Sequence, residues 1–216
     1  MKKNKKTILL VILLLFMVFV TAQGTVAWLT RTNKITNTFT VGTFVLPTTD
    51  PIEPNETIAI DGHLYEPSWN EEVEHKFVPS IAITKDPYVG IGKGSEDAVV
   101  YVYVENNFSN KVYFTMNAGW EAVEAEEGFA QDTYTAGLFK YTAGLTGSAD
   151  KDVWTSTPLF SEVVADETAN SEDFAVADGE NTTITVSSFI HQAKDSEGNA
   201  LEEDTIKTAA KTAFGI

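Results

Sequence analysis

Six consecutive apolar residues, Val99-Val100-Tyr101-Val102-Tyr103-Val104, constrain this chain more than any other stretch. β-Branched and aromatic side chains favour extended backbone, and a strand points successive side chains to opposite faces. A strand that is apolar on both faces must be covered on both, so this one belongs at the centre of a two-layer structure. Much of the remaining chain also reads as β. Phe77 to Thr84, Val99 to Glu105 and Lys111 to Asn117 are strand-like runs. Turn chemistry at Asp86-Pro87, Gly90-Ile91-Gly92-Lys93-Gly94 and Asn106-Asn107 divides this region. Thr182 to Gln192 reads as another strand, Thr183, Thr185 and Ser187 alternating with Ile184 and Val186. Residues 119–178 read as an irregular acidic insertion. Within it Gly137 to Ala143 and Val153 to Val164 suit strands, whereas Ala118 to Thr135 and Ala165 to Asp178 suit loops or short helices. Near the end, Ile206, Ala209, Ala210, Ala213 and Phe214 recur at helical spacing, with Gly215 as a stop and Asn199 to Glu202 in the form of a capping box. No heptad, fixed-period repeat or long low-complexity linker divides the chain. The expectation is one all-β, two-sheet sandwich over 28–216 with a few short helices, one of them near the C terminus.

The first 27 residues point elsewhere. Lys2, Lys3, Lys5 and Lys6 precede thirteen uninterrupted apolar residues, Ile8 to Val20, and the segment ends in Thr25-Val26-Ala27. A basic start, a short apolar stretch and small residues before a cut form the secretory pattern, with cleavage between Ala27 and Trp28. The competing reading is an uncleaved anchor, for which about twenty apolar residues are needed to span a bilayer. From Trp28 onward 11 basic side chains face 31 acidic ones, a net charge of −20. Such a body repels phosphate backbones, which excludes sequence-independent nucleic-acid binding. It also repels its own copies until salt, acid or divalent cations screen it. With no cysteine there is no disulfide, thiolate metal site or cysteine nucleophile.

The mature chain would open on residues 28–46, a candidate donor strand. Ile35, Phe39, Val41 and Val45 fall on one face of an alternating stretch, and Trp28 and Leu29 lead into it. The alternative is that Ile35 to Val45 is the first strand of the domain's own sandwich. Pro47 to Asn55, with three prolines, reads as an exposed loop.

Chemistry is sparse. His63, His75 and His191 lack the one-turn spacing of a zinc peptidase. His75 follows Glu71, Glu72 and Glu74, a charge run that reads as a solvated loop rather than a metal site. The loop Gly90 to Ser95 lacks the gap before Gly-Lys that a phosphate loop requires. Asp195, Glu197, Asn199 and Glu203 are oxygen-rich but miss the calcium-loop pattern. The expectation is no catalytic residue, no metal and no cofactor.

Several stretches resemble one known family. Gly24-Thr25-Val26-Ala27-Trp28-Leu29-Thr30, followed by Thr36-Asn37-Thr38-Phe39-Thr40-Val41-Gly42, is similar to the signature of the TasA/camelysin group. These are secreted Gram-positive proteins processed by SipW-type signal peptidase. Glu66-Pro67-Ser68-Trp69, Ile83-Thr84-Lys85-Asp86-Pro87, Asp97 to Val102 and Phe189-Ile190-His191-Gln192-Ala193 resemble later parts of the same family. The resemblance implies a jelly-roll-like β-sandwich and export to the extracellular matrix or cell surface of a Gram-positive bacterium. It also implies assembly into biofilm fibres with itself or a related subunit, the N-terminal strand of one subunit completing the sheet of the next. Any membrane contact would come only through an uncleaved signal peptide.

Three function classes follow. The first is a secreted structural protein that self-assembles. The second is a monomeric surface binding or adhesion module sharing the export route. The third is the metallopeptidase activity associated with camelysins, for which the histidine pair is missing.

Overall fold

The structure, a computed structural model, describes residues 36–41 (backbone), 43–60, 62–69, 78–170, 172–174 and 183–216. In chain order these form β1 (Thr36–Val41), β2 (Leu64–Tyr65), β3 (Ala82–Thr84), β4 (Tyr88–Ile91), β5 (Ala98–Asn106) and β6 (Val112–Tyr113). They continue with β7 (Trp120–Glu127), β8 (Tyr134–Tyr141), β9 (Val153–Trp154), β10 (Glu162–Ala165), β11 (Ile184–Gln192) and the helix α1 (Glu203–Phe214).

The apolar run becomes the middle of the main sheet, whose strand order is β1-β11-β5-β8-β7. Nine residue pairs join β5 to β11, from Ile184↔Asn106 to Gln192↔Ala98. Val100, Val102 and Val104 point to one face, where they join Phe139 of β8 and Ile184, Val186 and Ile190 of β11. Two three-stranded sheets, β3-β10-β6 and β2-β4-β9, form the second layer and supply Ile83, Val163, Val112, Leu64, Val89 and Ile91 to the same core. Each such side chain, fully removed from water, stabilises the fold by about 1.5–3 kcal/mol before entropy is subtracted. The result is the expected all-β sandwich.

The opposite face of β5 explains its second apolar row. Tyr101, with Leu138 of β8 and Phe189 of β11, is covered by Ile206 and Ala210 of α1, flanked by Leu201, Ala209, Ala213 and Phe214. Phe214 also stacks on Tyr103 at 5.4 Å. Helical periodicity located this face correctly, but the capping box does not form. The N-cap is Glu202, extended and without a side-chain cap bond. Asn199 instead donates its backbone N–H and side-chain amide to the Asp195 carboxylate, closing a tight turn before the helix. Local Asx geometry has won over capping.

Burial under α1 has one cost. The Tyr101 hydroxyl is buried and, among the described residues, has no hydrogen-bond partner. An unsatisfied buried hydroxyl costs about 1–3 kcal/mol, so Tyr101→Phe is expected to stabilise the protein by about 1 kcal/mol. Urea denaturation checks this, and destabilisation would mean that the hydroxyl has a partner in solution.

Two further expectations change. Ala118 to Thr135, expected as loop or short helix, contains β7, and residues 119–178 supply β7 to β10 rather than an irregular insertion. The strand expected over Val153 to Val164 is two short strands, β9 and β10, in different sheets. β7 departs from regular pairing twice, with register shifts between Ala122 and Glu124 and between Glu126 and Glu127. Gly137 faces this irregular strand with φ of 125°, and a Cβ there would lie 2.4 Å from the Glu124 carbonyl oxygen. Only glycine fits that backbone approach.

Candidate functional site: sheet edges and the anchored arm

An open sheet edge presents a row of unpaired backbone donors and acceptors, the ordinary substrate for pairing with another chain. Among the described residues the main sheet has two edges, β1 and β7. β1 is parallel to β11, with Thr36 opposite Ser187, Asn37 opposite Ser188 and Thr38 opposite Phe189. The register shifts before Val41, which stands opposite His191. The even alternation expected through Phe39, Val41 and Val45 is therefore broken, because a bulge re-phases the strand. The strand ends at Val41, and Val45 lies beyond it with 44% of its surface exposed. The other donor-strand and cleavage residues, Ala27, Trp28, Leu29 and Ile35, lie outside the described residues, as does His75.

Past Thr43 the chain is stitched to the body. The Val45 N–H donates to Ser95 Oγ at 2.9 Å, and the Gly92 N–H donates to the Val45 carbonyl at 2.6 Å. A Cβ on Gly92 would lie 2.4 Å from the Leu46 carbonyl oxygen. The glycine-rich loop thus receives a neighbouring backbone. Asp152 is the main anchor. Its Oδ2 accepts the backbone N–H groups of Thr48 at 2.6 Å and Thr49 at 2.9 Å, together with both hydroxyls, and its Oδ1 accepts the Lys93 N–H at 2.9 Å. Trp154 Nε1 adds a bond to the Thr49 carbonyl at 3.0 Å.

Partial burial pushes the Asp152 carboxyl up, but the N–H donors of Thr48, Lys93 and Thr49 and the Thr49 hydroxyl outweigh it and hold it below the usual carboxylate range. Asp152→Ala is expected to cost about 2 kcal/mol at pH 7, the scale of hydrogen bonds to a charged group. A carboxyl depressed in the folded state contributes its stability fully above about pH 4 and loses it as pH falls through the folded value. Urea unfolding of parent and variant should converge in acid. A difference that persists unchanged to pH 2 would show that the charge is not what anchors Thr48 and Thr49.

The other edge is acidic. Along β7, Glu121, Glu124, Glu126 and Glu127 are all exposed. Lys140 lies 3.4 Å from Glu121, and Lys211 of α1 lies 2.8 Å from Glu124. Among the described residues Glu126 and Glu127 form no ion pair. Beside them an open cleft of about 370 Å³ is lined by Tyr103, Glu105, Asn106, Glu126, Ala136 and Thr185. Burial, then the Glu105 and Glu126 carboxylates, push the Tyr103 phenol up.

The two motifs that sequence reasoning left apart, Glu66 to Trp69 and Lys85 to Pro87, meet in space. Lys85 Nζ lies 2.8 Å from both Glu66 oxygens, and the two side chains are 7% and 5% exposed. Nζ sits 4.6 Å over the Trp69 ring, and the Asp86 carboxylate accepts the Ser68 N–H at 3.0 Å. Burial pushes the Asp86 carboxyl up, against that bond and the Lys85 charge. This cluster clamps a turn against β3 and β4. Among the described residues, its groups are bonded to one another. His63 donates its Nδ1–H to the Gly90 carbonyl at 2.8 Å, and burial pushes its imidazole down. The Asp195 carboxylate is likewise occupied by Glu197 and Asn199.

Among the described residues no three His, Asp or Glu side chains are grouped to hold a metal ion, and no helix is long and apolar enough to cross a membrane. Comparison with protein-family models, curated proteins and solved structures gives no match.

Proposed function

We propose that this is a secreted structural protein of the cell surface or biofilm matrix, which self-assembles into fibres by adding its N-terminal segment to a neighbouring subunit. The observation that carries this reading is the placement of β1 at an outer edge of the main sheet, directly after residues 28–35. The chain is bonded to the body from Thr43 onward, beginning where the Glu96 N–H donates to the Thr43 carbonyl. Thr36 to Val41 occupy the domain's own sheet, which leaves Trp28 to Ile35 as the donor. A head-to-tail contact between an arm and a distant edge does not close on itself, so it propagates as a filament. The resemblance of residues 24–42 to the TasA/camelysin signature supports the same reading, together with export through a SipW-type peptidase.

The chain beginning at Trp28 is expected to form filaments under negative-stain microscopy and light scattering. Deletion of residues 28–35 is expected to leave a folded monomer that does not elongate. Filaments that persist without these residues would refute N-terminal addition. A persistent monomer of the mature chain would favour the surface binding module instead.

A further inference from the structure

We infer that the acceptor for the N-terminal arm is the free edge of β7 on a second copy of this chain, selected by charge. This rests on the N-terminal addition proposed above and names its partner surface.

Three independent features converge on β7. The first is length. β7 has eight residues, as does the segment Trp28 to Ile35, whereas the edge strands β2, β3, β6 and β9 have two or three. An eight-residue strand extends about 26 Å, enough to lie along the whole of β7. The second is availability. β7 closes the sheet on the side opposite β1, and among the described residues Glu121 to Glu127 make no backbone hydrogen bond outside the sheet. The third is charge. All 31 acidic residues lie at Asp50 or beyond, while residues 28–49 carry Arg31 and Lys34 and no acid. The body from Asp50 therefore has 9 basic against 31 acidic side chains, a net of −22.

The glutamates of β7 perform two tasks under this arrangement. Like charges directly opposite one another destabilise a strand pair, so two β7 edges repel and sideways aggregation is suppressed. A strand bearing Arg31 and Lys34 meets the reverse situation. Glu121 and Glu124 are already paired with Lys140 and Lys211, so among the described residues the charges without an ion pair here are Glu126, Glu127 and the neighbouring Glu105 at the cleft. That end of the edge is where the arm's cations are drawn. Edge specificity is thus encoded as a repulsion between identical edges and an attraction between unlike ones.

The test uses the mature chain from Trp28, which has no native cysteine. Under oxidation the double variant Thr32→Cys with Ala122→Cys is expected to give a ladder of disulfide-linked oligomers, because each link joins an arm to the next subunit's β7. Each single variant gives dimers at most. Thr32→Cys with Thr84→Cys, on the edge strand β3, is expected to give no ladder. Separately, Glu126→Lys with Glu127→Lys, and Arg31→Glu with Lys34→Glu, should each slow elongation roughly tenfold at low salt. Reversing all four in one chain should restore it. Circular dichroism melts of the charge variants, whose altered residues are exposed or lie in the arm, establish that they remain folded.

A ladder through Thr84→Cys, an intrachain disulfide between positions 32 and 122, or failure of the four-fold reversal to rescue would overturn β7 as acceptor. If deletion of residues 28–35 still abolished elongation in that case, N-terminal addition would stand and only the acceptor would fall. If elongation survived the deletion, both would fall.

Discussion

Lys85→Met is expected to destabilise the protein by about 3–5 kcal/mol, because it leaves the Glu66 carboxylate in the interior without its counter-ion. Both side chains of the pair are almost fully buried, so water cannot replace the lost partner. Taking two charges out of water costs several kcal/mol per ion, and the pair survives because Nζ reaches both oxygens and also lies over Trp69. Among the described residues Glu66 Oε1 accepts no hydrogen bond of good geometry, so the pair is not fully satisfied by them even when intact. It follows that the double variant Lys85→Met with Glu66→Met should recover most of the loss. Urea denaturation at pH 7 on the four corners of this cycle measures it. A single-variant cost below about 1 kcal/mol, the range of a solvated pair, would show that the cluster is open to water.

Phe114→Ala is expected to cost about 3–5 kcal/mol, the loss of a large core ring plus the cavity left behind. Phe114 is 1% exposed, and its ring lies 4.2 Å from that of Phe160, 5.6 Å from Phe139 and 6.4 Å from Tyr134. Those neighbours come from the chain before β10, from β8 and from its start, so no single backbone shift can collapse the hole. Phe129→Ala is the natural control, since Phe129 is 53% exposed and its loss should change stability by less than about 0.5 kcal/mol. For a domain of this size the Phe114 substitution corresponds to a drop in Tm of roughly 10 °C. A drop no larger than the control's would contradict the packing around Phe114.

The Lys85 cluster bears on how the sequence resemblance should be read. Glu66-Pro67-Ser68-Trp69 and Lys85-Asp86-Pro87 are two of the stretches that carry it, and in the fold they become one buried clamp. Their contribution is to hold a turn in place. Among the described residues, exposed carboxylates without an ion pair lie elsewhere, as at Glu126 and Glu127 of β7.

What the sequence determined by itself was whatever depended on near neighbours and strong periodicity. The run from Val99 to Val104 specified a strand needing cover on both faces, and the core and α1 supply it. The i, i+3, i+4 spacing of Ile206, Ala209 and Ala210 specified the helix and its buried stripe. The alternation of Ile184 and Val186 with Thr183 and Thr185 specified β11. The pattern failed where tertiary pairing overrode local preference. Trp120 to Glu127 is rich in Glu and Ala, which favour helix, yet it is a strand because β8 offers it a ladder and one face of an edge strand may stay in water. Only the tertiary structure decided that β1 lies parallel to β11, since that contact joins residues about 150 positions apart and no local rule encodes it. The same holds for the meeting of Glu66 with Lys85 and of Asp152 with Thr48 and Thr49. Complementary groups far apart in the chain find each other only after the sheets have packed, because packing removes the water that would otherwise satisfy them separately.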